Sequence, residues 1–480
     1  LCTCNKLKTR TMNCKLEKLE IPADQPFWNC KLDREKYAEI LKTIITTYQK
    51  GFVLAINGRW GTGKTTFVEM WKAYLELDNF HTLYFNAWEN DFISDPLIGL
   101  LGELKKMSKQ QKSKDLLSSI IKAGGKIVLY GGPAMVKGVI KHYTGEDVTN
   151  VVADFAKEGS SMLKKAIENY ESQKYSLKEF RELLEKFVDE ISEKKPLIFI
   201  IDELDRCNPY YAVKVLERIK HLFNIPNIVF VLSIDKEQLS NSIRGYYGSD
   251  LIKADEYLKR FIDIEYTLPD PDVDVFCKYL FDYYDFRPIF SHTQNETYYQ
   301  DSSAIGDLLI TAATIFKYKR LTLRQIEKIF TNLRLSINMF SDIHNIHADL
   351  LCLLTYLRIC ESDCYEKIAH KEYTIQELIN QIEIIFPQQI FDLNTIDHIT
   401  NGSFYFTTAL LLSGYANNLR KKDEEPLLSK DNENTRLVFK VNFINEEKLV
   451  EVIKWAESKQ MTPPLEAMIA KINLLENLQV

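Results

Sequence analysis

Gly-Arg-Trp-Gly-Thr-Gly-Lys-Thr, residues 58–65, is the stretch that decides the fold of this chain of 480 residues. It fits the pattern of a glycine, four further residues and Gly-Lys-Ser/Thr, in which backbone N–H groups surround the phosphates of a nucleotide. The apolar run Phe52–Ile56 before it predicts a buried strand, and Thr66–Leu75 after it has apolar residues at helical spacing. The sequence therefore predicts a strand, a phosphate-binding loop and a helix, which together form a site for a nucleoside triphosphate.

The residues of this loop have predicted roles in binding a nucleoside triphosphate. The glycines allow backbone conformations that a Cβ atom would forbid, so that consecutive N–H groups can point at phosphate oxygens. We expect Lys64 to bridge the β- and γ-phosphates, and the Thr65 hydroxyl to bind Mg²⁺. Trp60 either contacts the ligand or packs beside the loop. The residues predicted to bind the nucleotide are Gly58, Arg59, Trp60, Gly61, Thr62, Gly63, Lys64, Thr65 and Thr66.

A second motif follows the apolar run Leu197–Ile201, which is typical of a central strand in a parallel sheet. Asp202 ends this run and is predicted to hold Mg²⁺ together with Thr65. Glu203 is then the predicted general base for the attacking water, and Asp205 is the competitor for that role. An apolar strand that ends in acids is a weak signal alone, but beside the phosphate-binding loop it predicts the second half of an active site.

Further candidates lie beyond the second motif. The next predicted strand, Ile228–Asp235, ends in Ser233 and Asp235, and these would lie beside the γ-phosphate if this strand neighbours the strand of the second motif. Arg260 and Arg324 are candidates to stabilise the γ-phosphate, in cis or from a neighbouring copy. Each arginine could instead cap a helix or pair with a nearby acid, so both interpretations stay open.

The composition is that of a soluble globular protein, with 45% hydrophobic and 27% charged residues and a net charge of −6. Nothing global in the charge favours nucleic acid as a partner. Nine cysteines without a disulfide framework, and no visible secretory leader, predict reduced thiols and a cytoplasmic location. Within 120–141, lysines leave an uncharged run of about half the roughly 20 residues that a spanning helix needs. Peripheral membrane contact and a loop packed between helices are the two alternatives for that segment.

The order of the motifs predicts an α/β fold, with a three-layer P-loop NTPase core around a parallel sheet. We expect a leader over residues 1–30 and the core over 31–270. A helical insertion over 97–190 separates the two nucleotide motifs, and 271–480 is predicted to be an all-helical region. The helical regions are the predicted surfaces for protein partners or self-association.

In combination, these motifs resemble the KAP family of P-loop NTPases, within the wider class that includes AAA+ and STAND proteins. The Trp60-Gly61 pair inside the loop is typical of this family. Glu203 stands where the family usually has aspartate, and Leu323 where proline is usual. The resemblance covers residues 31–335 and leaves 336–480 unexplained. The other similar segments are Leu32–Ala38, Phe85–Trp88, Ile201–Cys207, Val231–Asp235, Tyr257–Ile262 with Leu268-Pro269, and Thr322–Lys328.

Together, the residues and the resemblance predict Mg²⁺-dependent binding and slow hydrolysis of ATP, with nucleotide occupancy driving assembly or movement of the helical part. The resemblance also implies a role in prokaryotic conflict or signalling, including anti-phage defence. Two alternatives belong to other classes of protein. A DNA-associated AAA+-like ATPase would need a basic, helix-turn-helix-like end, and a nucleotide-gated scaffold would bind ATP with little turnover.

Overall fold

The chain forms two compact units in the computed structural model. One lies within Leu19–Asp270, and the other within Pro271–Val480 together with Leu1–Lys18. The first unit contains both nucleotide motifs, and the second is mostly helical. The structure describes residues 16–48, 50–93, 95–107, 111–129, 162–191, 195–220, 225–290, 301–340, 347–391, 404–419, 426–431, 434–459, 461 and 463–474.

A five-stranded parallel sheet forms the centre of the Leu19–Asp270 unit. The spatial order of its strands is β2-β3-β4-β1-β5, and every pairing is parallel. The carboxyl ends of the strands therefore meet at one edge, where open α/β sheets bind their ligands. The strands are β1 (Phe52–Asn57), β2 (Thr82–Asn86), β3 (Leu197–Asp202), β4 (Ile228–Ile234) and β5 (Ile264–Thr267). The α-helices of this unit are α1 (Glu35–Thr47), α2 (Lys64–Leu77), α3 (Pro96–Lys105), α4 (Gln111–Leu129), α5 (Met162–Ile191), α6 (Pro209–Lys220), α7 (Lys236–Tyr247) and α8 (Ala254–Leu258).

Buried apolar residues cover both faces of the sheet, as expected for a three-layer α/β fold. In β1, Val53 and Ala55 belong to one buried cluster, whereas Leu54 and Ile56 belong to the other. The cluster of Val53 and Ala55 contains residues of α3 to α8. The cluster of Leu54 and Ile56 contains residues of α1 and α2. This arrangement confirms the predicted α/β core with a parallel sheet.

Helices also form the described part of the predicted insertion between the two motifs. Gly124 of α4 lies so close to α3 that a Cβ atom there would be 2.7 Å from Leu101 Cδ1. The segment 120–141, considered above for membrane contact, is helical to Leu129 and lies outside the described residues beyond that point. Among the described helices, none combines the length and the apolar character that crossing a membrane requires.

The second unit is mostly a succession of helices, which range from 4 to 18 residues in length, and side chains cap the first turn of several of them. Thr322 and Gln325 form a capping box at the start of α12, and Thr374 and Glu377 form another at the start of α15. The helices are α9 (Val273–Tyr283), α10 (Arg287–Phe290), α11 (Asp301–Tyr318), α12 (Leu323–Asn338), α13 (Ala348–Cys360), α14 (Ser362–Ala369), α15 (Ile375–Ile385), α16 (Gln388–Phe391), α17 (Phe404–Gly414), α18 (Glu446–Ser458) and α19 (Leu465–Leu474).

One small element corrects the expectation of an all-helical region. Strands β6 (Leu428–Asp431) and β7 (Asn434–Leu437) form a two-stranded antiparallel ribbon. Each strand has four residues, mostly polar, so neither shows the apolar alternation by which a strand is recognised in a sequence. The remaining described elements of this unit are helical.

Three buried polar side chains, Thr311, Asp349 and Thr407, connect α11, α13 and α17 in the helical unit. The Thr407 hydroxyl donates to Asp349 Oδ2 at 2.9 Å, and its oxygen lies 3.4 Å from the Thr311 hydroxyl oxygen. Asp307, one turn before Thr311 on α11, is 8% exposed. Burial, with a smaller effect from the charge of Asp349, raises the pKa of Asp307 to about 7. The helical core therefore holds a carboxyl group that titrates near neutral pH.

Candidate nucleotide-binding site

The loop between β1 and α2 has the backbone shape that its glycines allow. Gly61 and Gly63 have φ angles of 74° and 82°, in the left-handed region that favours glycine. Gly58 is glycine for a different reason, because a Cβ atom there would lie 3.3 Å from Lys64 Cδ. Gly63 immediately precedes α2, and no side chain caps this helix. Its first N–H groups are therefore directed at the place where an anion would bind.

Lys64 is folded back over the loop that precedes it. Its Nζ donates to Gly58 O at 2.5 Å and to Arg59 O at 3.2 Å. The residue is 8% exposed, and burial lowers its pKa, while nearby carboxylates, with Asp205 the strongest, act in the opposite direction. The carbonyl oxygens of the loop thus hold the buried ammonium group of Lys64, the first residue of the uncapped α2.

Trp60 connects the loop to the acidic residues that follow two other strands. Its backbone N–H donates to Asp235 Oδ2 at 2.9 Å, and its indole Nε1–H donates to Asp205 Oδ2. Asp235 also caps α7, because its Oδ1 accepts a hydrogen bond from Gln238 N at 3.3 Å. Burial raises the pKa of Asp205, with Lys64 and the indole acting against it. The Trp60 indole therefore joins the two nucleotide motifs directly, across 145 residues of sequence.

Asp202 and Ser233 lie side by side at the ends of β3 and β4. They pair in register, and strand alternation directs both toward the face covered by α1 and α2. Asp202 is 1% exposed and accepts hydrogen bonds from the Tyr84 hydroxyl at 3.0 Å and from Glu203 N at 2.9 Å. Ser233 is fully buried, and its hydroxyl has no hydrogen-bond partner in the described part of the chain. A phosphate oxygen or a water bound at this edge would satisfy that hydroxyl.

Glu203 occupies an unusual backbone conformation directly after β3. Its φ angle is 59°, a region that is uncommon for residues other than glycine and often marks a functional position. Its Oε1 is paired with Arg206 Nη1 at 2.5 Å, and its Oε2 accepts a hydrogen bond from Asn86 Nδ2 at 3.1 Å. Burial raises the pKa of Glu203, whereas Arg206 and Asn86 lower it. Two neighbours thus hold the candidate base in place.

Arg59, Thr65 and Thr66 complete the predicted loop. Arg59 is exposed and forms an ion pair with Asp270, with 3.2 Å between Nη2 and Oδ2. Thr65 and Thr66 lie in the first turn of α2 and are partly buried. The Thr65 hydroxyl therefore lies in the first turn of α2, beside the N–H groups that have no partner within the helix.

The two predicted arginine sensors lie in different units. Arg260 is exposed just after α8, and Glu256, considered above as its partner, is paired instead with Lys259 at 2.8 Å. Arg324 is exposed in the first turn of α12, in the helical unit. Glu327, considered as the partner of Arg324, accepts a hydrogen bond from Leu16 N at 2.8 Å. Their roles as sensors stay predictions.

Three residues of the site were not identified from the sequence. Arg34 donates to the carbonyl oxygens of Thr62 and Gly63, at 2.7 and 3.1 Å. Tyr84 and Asn86, on β2, contact the two acids at the end of β3 because β2 and β3 are neighbours. Arg34 and Asn86 lie in Leu32–Ala38 and Phe85–Trp88, two of the segments that resemble the family, but nothing in the sequence assigned either residue a role in the site.

The residues present fit a nucleoside triphosphate with Mg²⁺. The uncapped start of α2 and the Lys64 ammonium match a chain of phosphates. The Thr65 hydroxyl and the Asp202 carboxylate are the hard oxygen donors that Mg²⁺ prefers. The buried Ser233 hydroxyl, without a partner in the described residues, fits a further phosphate oxygen.

The family model of the KAP family P-loop domain matches residues 34–350 of this chain, which is well over half of its length. The chain belongs to the KAP family. Membership confirms the resemblance predicted from the sequence and makes the protein a P-loop NTPase by family. Part of this KAP chain is 21% identical, over 179 residues, to the Phage T7 exclusion protein of Escherichia coli (strain K12). That match covers 36% of the chain but only 22% of the relative, so the chain spans a small part of that protein's length.

Among solved structures, the chain is similar to the ORC2 protein of Aeropyrum pernix, whose structure was determined as ADPNP-ADP complexes. The sequence identity is 14% and the TM-score 0.30, over 89% of this chain and 95% of that one.

Proposed function

We propose that this KAP P-loop domain binds ATP with Mg²⁺ at the loop Gly58–Thr65 and hydrolyses it slowly. The observation that carries the proposal is the hydrogen bond from the Trp60 indole to Asp205, because it brings the phosphate-binding loop and the carboxylates to one site. The uncapped start of α2 supplies N–H groups for the phosphates, and Lys64 supplies positive charge. Membership of a P-loop family supports the same chemistry.

Thr65 and Asp202 are the proposed ligands of Mg²⁺. The hydrogen bonds from the Tyr84 hydroxyl and from Glu203 N hold the Asp202 carboxylate in one orientation, which is how neighbours of a metal ligand tune a site. When bound, Mg²⁺ would neutralise charge on the β- and γ-phosphate oxygens. The fit of a hydroxyl and a carboxylate to this ion supports the assignment.

Glu203 is the proposed general base for the attacking water. The Ser233 hydroxyl is proposed to donate a hydrogen bond to the γ-phosphate or to that water. Burial raises the pKa of Glu203, which makes the carboxylate a better proton acceptor near neutral pH. Asp205 is proposed to anchor the loop instead, because its Oδ2 accepts the indole N–H of Trp60. The contacts of Glu203 with Arg206 and Asn86 must loosen before its carboxylate can take a proton, which supports slow turnover.

Titration calorimetry with ATP, with and without Mg²⁺, tests nucleotide binding. We expect Lys64→Ala to weaken ATP binding by about tenfold or more, because a charge-assisted contact to phosphate is lost. Asp202→Asn should remove most of the effect of Mg²⁺ on ATP affinity. Lys72→Ala is the matched control, since Lys72 lies on the same helix and pairs with Glu76 at 2.7 Å. A wild-type chain that binds no ATP, or Lys64→Ala binding as tightly as wild type, contradicts the proposal.

Self-association in the ATP-bound state is the proposed output of this site. The extensive helical regions supply surfaces for it, and the switch would be the occupancy of the nucleotide site. Size-exclusion chromatography of Glu203→Gln with and without ATP and Mg²⁺ tests this output. A larger species only with nucleotide supports the switch, and a monomer under both conditions contradicts it.

A role in defence against phage is the proposed biological setting. The likeness to the Phage T7 exclusion protein supports it, over the 22% of that protein that the chain spans. Plating of phage T7 on Escherichia coli that expresses the wild-type chain or Lys64→Ala tests it. We expect lower plating efficiency with the wild-type chain only. Equal plating on both strains and on an empty-vector control contradicts the defence role and leaves the nucleotide proposal standing.

A further inference from the structure

Arg34 is a buried cation whose side-chain hydrogen bonds in the described chain go to the phosphate-binding loop. It is 3% exposed and lies immediately before α1. Its Nη2 donates to Thr62 O at 2.7 Å and its Nη1 to Gly63 O at 3.1 Å. Gly63 O also accepts the helical hydrogen bond from Phe67 N at 3.1 Å. The guanidinium is therefore attached to the loop at the point where α2 begins.

The positive charge of Arg34 has no contacting carboxylate within the described residues. The groups that favour its charged form act from a greater distance and are Cys30, Tyr37 and Asp270. Asp270 is itself paired with Arg59 at 3.2 Å. Burial lowers the pKa of Arg34, as expected for a cation removed from water. A buried charge of this kind is normally balanced by an anion, and the described residues supply none in contact with it.

The geometry of the peptide group connects these contacts with phosphate binding. In a trans peptide, the C=O and the N–H of the same unit point in opposite directions. Because Thr62 O and Gly63 O are directed at Arg34, the N–H groups of Gly63 and Lys64 are directed away from it. These are the N–H groups at the start of α2, where a phosphate is expected.

We propose that Arg34 is a positioning residue, which holds the Gly63 and Lys64 N–H groups toward the phosphates, and that the bound phosphates balance its charge. The proposal deepens the proposed function and rests on it, since it needs a nucleotide in the loop. Arg34, which lies outside both nucleotide motifs and 28 positions before Thr62, would then contribute to the affinity of the site for phosphate.

Calorimetric titration with ADP and Mg²⁺, well below the melting temperature, tests this role in Arg34→Gln and Arg34→Lys. Arg34→Gln removes the charge and at least one of two charge-assisted hydrogen bonds, so we expect ADP affinity to fall by about tenfold to 100-fold. Arg34→Lys keeps the charge but lacks the planar, two-armed guanidinium that reaches both carbonyl oxygens, so its ADP affinity should fall less than that of Arg34→Gln, but by at least about threefold. In steady-state hydrolysis, the KM for ATP should rise in Arg34→Gln while kcat at saturation changes by less than about threefold.

Arg334→Gln is the matched control, because Arg334 also donates to a backbone carbonyl, Tyr284 O at 2.8 Å, but in the helical unit. It should lower the melting temperature and leave ADP affinity unchanged. ADP affinity of Arg34→Gln within about threefold of wild type overturns the proposal, as does an equal loss in the control. If Arg34→Gln does not fold, an unchanged ADP affinity in folded Arg34→Lys overturns it instead. A wild-type chain that binds no ADP, or binds it no better than Lys64→Ala, overturns the proposed function itself, and the role of Arg34 falls with it.

Discussion

Removing the indole N–H of Trp60 tests whether the phosphate-binding loop is anchored to the second motif. Trp60→Phe keeps an aromatic ring and deletes the donor to Asp205 Oδ2. Asp205 is 5% exposed, so little water is available to replace that donor. A hydrogen bond to a charged group contributes about 1.5–3 kcal/mol to stability. We expect a coupling energy of that size in the double-mutant cycle of Trp60→Phe and Asp205→Ala.

The free energy of unfolding, from urea denaturation followed by far-ultraviolet circular dichroism, is the quantity to compare across the four proteins of the cycle. Trp88→Phe with Asp205→Ala is the matched control, because the Trp88 ring contacts Arg206, 5.8 Å from the guanidinium carbon. The control coupling energy should be below about 0.5 kcal/mol. A Trp60–Asp205 coupling energy as small as that of the control refutes the anchor, and with it the proposal that Asp205 holds the loop rather than acting as the base.

Three further predictions concern single side chains. Ser233→Ala should lower kcat for ATP hydrolysis by about tenfold, because a donor to the transferring phosphate is lost. It should not lower the free energy of unfolding, since the hydroxyl has no partner in the described chain; a large loss of stability contradicts this. Asn86→Ala removes a group that lowers the pKa of Glu203, so the acid limb of the pH–kcat profile should move to higher pH, and an unmoved limb counts against Glu203 as the base. The pKa of Asp307 is about 7 in the folded chain, and about 3.9 is usual for an unfolded one. At a pH between these two pKa values, Asp307 is protonated in the folded chain and ionised in the unfolded chain. The free energy of unfolding should therefore fall by up to about 1.4 kcal/mol per pH unit as the pH rises from 5 to 7. Burial lowers the pKa of His347, so this histidine makes the free energy of unfolding rise with pH. Subtracting the pH dependence measured for Asp307→Asn from that of the wild-type chain removes the contribution of His347. An identical pH dependence in the two proteins contradicts the prediction.

The local parts of the fold could be predicted because their signals are local. The apolar run at Phe52–Ile56 and the helical spacing after the loop are properties of neighbouring residues, and both elements form. Leu197–Ile201 is apolar throughout because β3 is covered on both faces, and Asp202 is the last residue of that strand. The phosphate-binding loop and the strand that ends in Asp202 therefore predicted a site at the carboxyl ends of the strands without knowledge of the strand order.

The contacts that hold the site together depend on strand order and could not be predicted. Asn86 reaches Glu203 only because β2 lies beside β3, and Ser233 lies beside Asp202 only because β4 is the next strand. Arg34 reaches the loop through the packing of the first helix, which no spacing in the sequence reveals. The β6–β7 ribbon was missed because its short polar strands carry no apolar pattern.

Release of phosphate from ATP by the wild-type chain and by Glu203→Gln tests the central claim most directly. Wild type should hydrolyse ATP in the presence of Mg²⁺, and Glu203→Gln should bind ATP as tightly while its kcat falls by about 100-fold or more. Asp205→Asn is the matched control, since an amide oxygen can still accept the Trp60 indole N–H, and its kcat should fall by less than about tenfold. An undiminished rate in Glu203→Gln, or a larger loss in Asp205→Asn than in Glu203→Gln, contradicts the account.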